Sequence, residues 1–169
     1  MSTSKLANKL KRINTQVYFM AKVQANPKSR SARLNRSLIA QGWMAIAFWM
    51  SVGLLLEGLL GYKIPAYLSD PQRRELFRLA HAHGTLLGVV LIAAGLCAER
   101  VAVALPKAAH LALRAGSILM PVGFFLSGVW HTESDPGLAI WLVPPGALMV
   151  IFGAVVIALA CLKKPTAQD

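Results

Sequence analysis

The chain reads as an all-α membrane protein: a four-helix transmembrane bundle with both termini cytoplasmic, preceded by a basic amphipathic N-terminal helix. Three observations predict it. Apolar residues make up 56% of the 169 residues, charged residues only 15%, and the mean hydropathy is +0.53. A water-soluble domain of this size could not cover its surface with so few charges. Four apolar runs reach the roughly 20 residues that cross a bilayer. The Lys and Arg residues gather on one side of those runs, which orients them. The same composition excludes intrinsic disorder, and two cysteines cannot build a disulfide scaffold.

The first 37 residues carry nine Lys and Arg and no acid; the first acidic residue is Glu57. Leu6, Leu10, Ile13, Val17 and Met20 recur at helical spacing, with Lys5, Lys9, Lys11 and Arg12 on the opposite side. This pattern predicts a helix lying on the anionic cytoplasmic leaflet or docked in a partner's groove. A solvated tail that only enforces topology is the competing reading. No aromatic-interleaved basic module or zinc motif accompanies the charge, which argues against a nucleic-acid partner. The basic stretch is too long for a cleavable signal peptide, while its lack of acids also suits an organellar transit peptide. Asn26-Pro27 and the Ser/Arg mixture after it read as a linker into the membrane.

The first span is expected over about 38–61, the second over 76–98, the third over 111–130 and the fourth over 138–162, with a cytoplasmic tail at 163–169. Short connections make neighbouring helices antiparallel. With the N-terminus inside, 14 of the 18 Lys and Arg residues are cytoplasmic, and only Lys63, Arg73, Arg74 and Arg78 lie outside. That asymmetry suits the inner membrane of a bacterium, or alternatively a mitochondrial or other organellar membrane. Tyr62, Tyr67, Trp130 and Trp141 form the expected outer aromatic belt, with Trp43 at the inner one. Cys97 and Cys161 fall near the cytoplasmic ends of their spans and are expected to be thiols that fill space. Pro121 and Pro144-Pro145-Gly146 are expected to kink or break their helices, with a short separate piece over 138–143. Asp135-Pro136-Gly137 reads as a turn, and His110 as a surface histidine.

An ionisable group inside a span is costly and marks a candidate site. Glu57 shares a helical face with Gly53 and Gly61, a face on which a neighbouring helix can approach, so Glu57 is expected to point into the bundle. Gly84 and Gly88 make a GxxxG step on the stripe of His81. His83 lies about 200° from His81, so the two cannot hold one metal from a regular helix. His131 ends the third span. Antiparallel packing brings Glu57, His81 or His83, and His131 to similar depths near the outer face, beneath Glu133 and Asp135. Three readings of this convergence compete. One is a structural polar cluster in which Glu57 bonds a histidine or pairs with Arg74 or Arg78. Another is a cofactor or metal site. Haem b would use His81 or His83 with His131, and a transition metal would use Glu57, His81 and His131. The last is a proton relay, which the acid-free inner halves of the spans disfavour. No P-loop, GxSxG or HExxH motif is present, so hydrolytic and phosphoryl-transfer chemistry has no foothold.

The order of these features resembles the small four-span membrane proteins of the YgdD-like type, over about 49–162. A Gly-rich first span ends in Gly58-Leu-Leu-Gly61. Asp70-Pro-Gln-Arg-Arg-Glu-Leu-Phe-Arg78 leads into the His-bearing stretch from Ala80 to Gly88, and Val143-Pro-Pro-Gly-Ala147 opens the last span. The family's Ala-His-Gly near the end of the first span is replaced here by Leu60-Gly61-Tyr62, so no histidine carries over. The resemblance implies a four-helix membrane bundle and no particular activity.

Little hydrophilic mass and many small-residue faces suit a chain that packs against other membrane proteins. The expected function is a non-catalytic accessory or scaffold subunit of a larger membrane complex, of the respiratory or photosynthetic kind. The alternative is a small haem- or metal-binding redox protein. The expected partners are the lipid bilayer and other membrane subunits.

Overall fold

A computed structural model describes residues 11–16, 27–100, 105–132 and 135–162. Residues 11–16 are helical and exposed, which places Lys11 and Arg12 on a helix. The rest of the expected amphipathic helix, with Lys5 and Lys9, lies outside the described residues, as does the 163–169 tail. The described chain is helical throughout apart from turns and one isolated bridge, Thr132 to Asp135.

Helix α1 spans Pro27–Gly61, α2 Pro65–Leu68, α3 Pro71–Arg100, α4 Lys107–Val129 and α5 Val143–Leu162, with a 3-10 turn over Leu138–Leu142 ahead of α5. Four segments are long and apolar enough to cross a membrane: Ser31–Gly61, Pro71–Arg100, Lys107–Val129 and Leu138–Leu162. The expected linker after Asn26 is instead the start of α1. Pro27 occupies its first position, where a missing N–H costs nothing. At about 1.5 Å per residue, a helix of 35 residues is far longer than a bilayer core needs, so its basic beginning extends past the apolar span.

Each helix end has a sequence cause. α1 stops where Lys63 takes a left-handed φ of 52°. The Ile64 N–H then reaches the Leu59 carbonyl at 3.1 Å and the Lys63 N–H reaches Leu60 at 3.1 Å, the paired bonds of a Schellman cap. α3 opens on Asp70-Pro71, an aspartate cap followed by a proline in the first turn. The turn before the last span closes through Gly137, whose φ of 77° suits glycine and where a Cβ would strike the Trp130 carbonyl. Pro144 and Pro145 sit in the first turn of α5, so they start that helix and do not kink it. α4 continues through Pro121, which is fully buried.

The four long helices form a flattened rhombus. α3 and α4 are paired in the middle; α1 packs mainly on α3 and α5 mainly on α4, while α1 and α5 occupy the far corners. All four contribute to one small core of Leu38, Leu91, Ala94 and Leu113, with Ile157 packed against it. Backbones approach closely at glycines. A Cβ on Gly88 would lie 2.9 Å from the Gly42 carbonyl, a Cβ on Gly84 would overlap the Trp49 ring, and one on Gly53 would overlap the His81 ring. On α4 and α5, Gly116 faces Gly146 in the same way. Gly61, expected on the packing face, has nothing within 4 Å of its Cβ position.

Several side-chain placements differ from expectation. Tyr67, on α2, is buried and not in the aromatic belt, whereas Tyr62, Trp130, Trp141 and Trp43 are exposed. His110 is buried because it lies on the inner face of the first turns of α4, and neither ring nitrogen is bonded among the described residues. Cys97 and Cys161 are exposed on helix surfaces and fill no core space.

Candidate functional site

The end of the bundle that carries Asp70 and His131 holds most of the polar side-chain contacts among the described residues. Asp70 caps α3: its Oδ1 accepts the Arg73 backbone N–H at 2.9 Å. Its Oδ2 accepts His131 Nε2 at 2.9 Å and lies 3.5 Å from the Arg73 guanidinium. The Asp70 carboxyl is held below its ordinary value, chiefly by the Arg73 N–H. Partial burial pushes the other way, and the charges of His131 and Arg73 add to the lowering. Arg73 also donates from Nε to the Gly128 carbonyl at 3.2 Å and from Nη1 to the Ala66 carbonyl at 3.4 Å. A cation on the last carbonyls of α4 complements that helix's negative end. One aspartate–arginine pair thus joins α2, α3, α4 and the segment after α4. The His131 side chain is 5% exposed, and among the described residues its Nδ1 is buried without a partner.

About two to three turns further along α3, His81 ties α3 to α1. Its Nδ1 lies 2.7 Å from the Trp49 carbonyl, to which it donates, and its ring sits over Gly53. Only a residue without a Cβ at position 53 lets that ring in. Trp49 covers Gly84 and meets Phe125 edge-on, with centroids 6.1 Å apart; Phe125 stacks on Phe77 at 5.1 Å. This aromatic chain runs from α1 through α4 to α3. His83 points the other way, as the helical angle requires. It donates to its own helix at the Leu79 carbonyl, 2.8 Å away, and packs on Phe124.

The expected convergence is therefore not built as one site. His81, His83 and His131 each have a different partner, and no group of three His, Cys, Asp or Glu side chains among the described residues could hold a metal. Glu57 is exposed and not turned into the bundle, and among the described residues it pairs with neither a histidine nor Arg74 or Arg78. The reason is the period of the α1 seam. Contacts run through Asn35, Ile39, Gly42, Ile46, Trp49 and Gly53, a spacing of alternately four and three residues. Extended by three more, the seam reaches buried Leu56, leaving Glu57 about 100° away.

Glu57 instead borders an open groove between α1 and α3, about 1090 Å³ in volume, shared with Arg74, Arg78, Tyr67 and His81. Toward the other end, Gln41 on α1 bonds α4. It accepts Arg114 Nε at 2.7 Å and donates to the Arg114 carbonyl at 3.0 Å and to Ser117 Oγ at 3.1 Å. Reading the sequence missed this tie and the Asp70–Arg73–His131 group. The Asp-Pro step was a visible signal for the cap, but nothing local announced its histidine partner 61 positions away.

No family model, curated protein or solved structure matches the chain.

Proposed function

We propose that this chain is a non-catalytic accessory subunit of a larger membrane complex, oriented with both termini in the cytoplasm. One observation carries the reading. Each histidine that could have served chemistry at the Asp70 end of the bundle is already engaged in a structural bond: His81 on the Trp49 carbonyl and His131 on Asp70 tie different segments together, and His83 bonds the Leu79 carbonyl of its own helix. Interhelical bonds of this kind are worth about 1 kcal/mol each in a membrane, enough to set register. The Lys/Arg asymmetry supports the orientation. The exposed apolar faces of the corner helices α1 and α5 give other membrane chains broad surfaces to meet.

The test is purification of the full chain from its native membrane in mild detergent. A colourless sample without stoichiometric iron, copper or zinc, co-migrating with larger chains on a native gel, is the expected outcome. A Soret band, or one metal per chain lost in His81→Ala, would replace the reading with a redox function.

A further inference from the structure

The groove between α1 and α3 has a polarity that runs along the bundle axis. At its outer end stand Glu57 on α1 and Arg74, Glu75 and Arg78 on α3, so the α3 rim carries two cations and one carboxylate. Arg74 and Arg78 are four residues apart, so both guanidinia rise on one face of α3. Arg78 leans only loosely on Glu75, at 3.9 Å with both side chains mostly exposed. Among the described residues Glu57 and Arg74 have no ion-pair partner, although they line the same groove. Deeper in, the wall becomes apolar, with Met50 and Leu54 on α1 and Leu79 and Ala82 on α3. At about 1.5 Å per residue, Met50 lies roughly 10 Å below Glu57, and Ala82 roughly 12 Å below Arg74. That is the depth change from headgroups to acyl chains.

A single-sign ligand would leave one of the two rims opposed to it. A ligand carrying both signs, with an apolar tail, satisfies both rims and the floor. We infer that the groove binds a zwitterionic aminophospholipid of the phosphatidylethanolamine class. Its phosphate is held by Arg74 and Arg78, its ammonium by Glu57, and one acyl chain lies along Met50, Leu54, Leu79 and Ala82. A primary ammonium gives Glu57 three N–H donors, whereas a choline headgroup gives none, so the site distinguishes the two. The inference rests on the membrane-spanning part of the proposed function and on nothing in its accessory role.

The experiment begins with carbonate washing of membranes holding the full chain. Release into the wash overturns both the membrane reading and this inference. The retained chain is purified in detergent and titrated with dioleoyl phosphatidylethanolamine, phosphatidylcholine or phosphatidylglycerol in mixed micelles, and single-lipid adducts are counted by native mass spectrometry. The wild type is expected to keep the ethanolamine lipid about three- to fivefold better than either other lipid, the range open to an interfacial charge pair. Glu57→Gln should abolish its advantage over phosphatidylcholine, and Arg74→Gln with Arg78→Gln should lower retention of all three. Both variants must melt like the wild type by circular dichroism; if either does not, the wild-type preference alone decides. Equal retention of the three lipids by the wild type, preference for phosphatidylglycerol, or an ethanolamine preference unchanged in a normally melting Glu57→Gln would overturn the inference.

Discussion

Asp70 shows how much one side chain at a helix start can carry. It caps α3, receives His131 and orients Arg73 toward Gly128 and Ala66. These roles separate by substitution. Asn caps helices about as well as Asp, whereas Ala does not. Asp70→Asn is therefore expected to keep the cap and lose only the carboxylate charge that faces Arg73 and His131, while Asp70→Ala should lose both, with about 1 kcal/mol from the cap alone. Thermal unfolding in detergent measures the difference. Its pH dependence has a definite sign. The carboxyl is lowered in the folded chain, so its stabilisation is complete above the unfolded value and is lost as pH falls through the folded one. The melting-temperature gap between the wild type and Asp70→Asn should shrink as the pH falls below about 4. A gap between them that persists to the lowest pH would mean the charge is not what stabilises.

At the scale of the helices, the sequence is most informative where one physical requirement dominates. The spans are legible because a bilayer demands about 20 apolar residues and nothing else in a short chain supplies them. Helix faces are less legible, because a stripe of small residues does not say which period the neighbour imposes. Gly53, Glu57 and Gly61 look like one face at a spacing of four, yet the contact follows a spacing of 3.5, as left-handed crossings do. The seam therefore passes through Leu56, and Gly61 and Glu57 fall outside it. Likewise the Asp70–His131 bond joins two loops whose meeting depends on the α3–α4 crossing, which no local pattern encodes. The consequence is a graded glycine series. Gly88→Ala presses on the Gly42 backbone carbonyl at 2.9 Å, which cannot swing aside, and should cost about 1–3 kcal/mol. Gly61→Ala meets nothing and should be neutral. Lys63→Gly relieves a left-handed backbone conformation in the α1 cap and should raise stability by about 1 kcal/mol. Equilibrium unfolding in one detergent orders the three, and a neutral Gly88→Ala would contradict the close α1–α3 approach.

The whole molecule is a rhombus whose corner helices are its least buried parts. The most hydrophobic window of α1 is 11% buried and that of the last span 17%, against 39% for both α3 and α4. Trp43, Phe48 and Leu54 on α1, and Leu148, Phe152 and Leu159 on α5, all stand exposed. In water such a shape would aggregate through two opposite faces; with lipid or another apolar helix against those faces it has no such liability. An embedded rhombus has two ends, and charge assigns them. Ser69, exposed between α2 and α3, belongs to the end with four basic residues; Glu99, exposed near the end of α3, belongs to the end with fourteen. In a Cys97→Ser, Cys161→Ser background, Ser69→Cys is expected to react with a membrane-impermeant maleimide on intact cells or sealed right-side-out vesicles. Glu99→Cys should react only after the membrane is opened. The reverse pattern would place the basic N-terminal segment outside and remove the electrostatic argument for orientation. Equal labelling of both sites in intact vesicles would show that α3 does not cross the bilayer, because an antiparallel four-span chain cannot present both ends of α3 to one compartment.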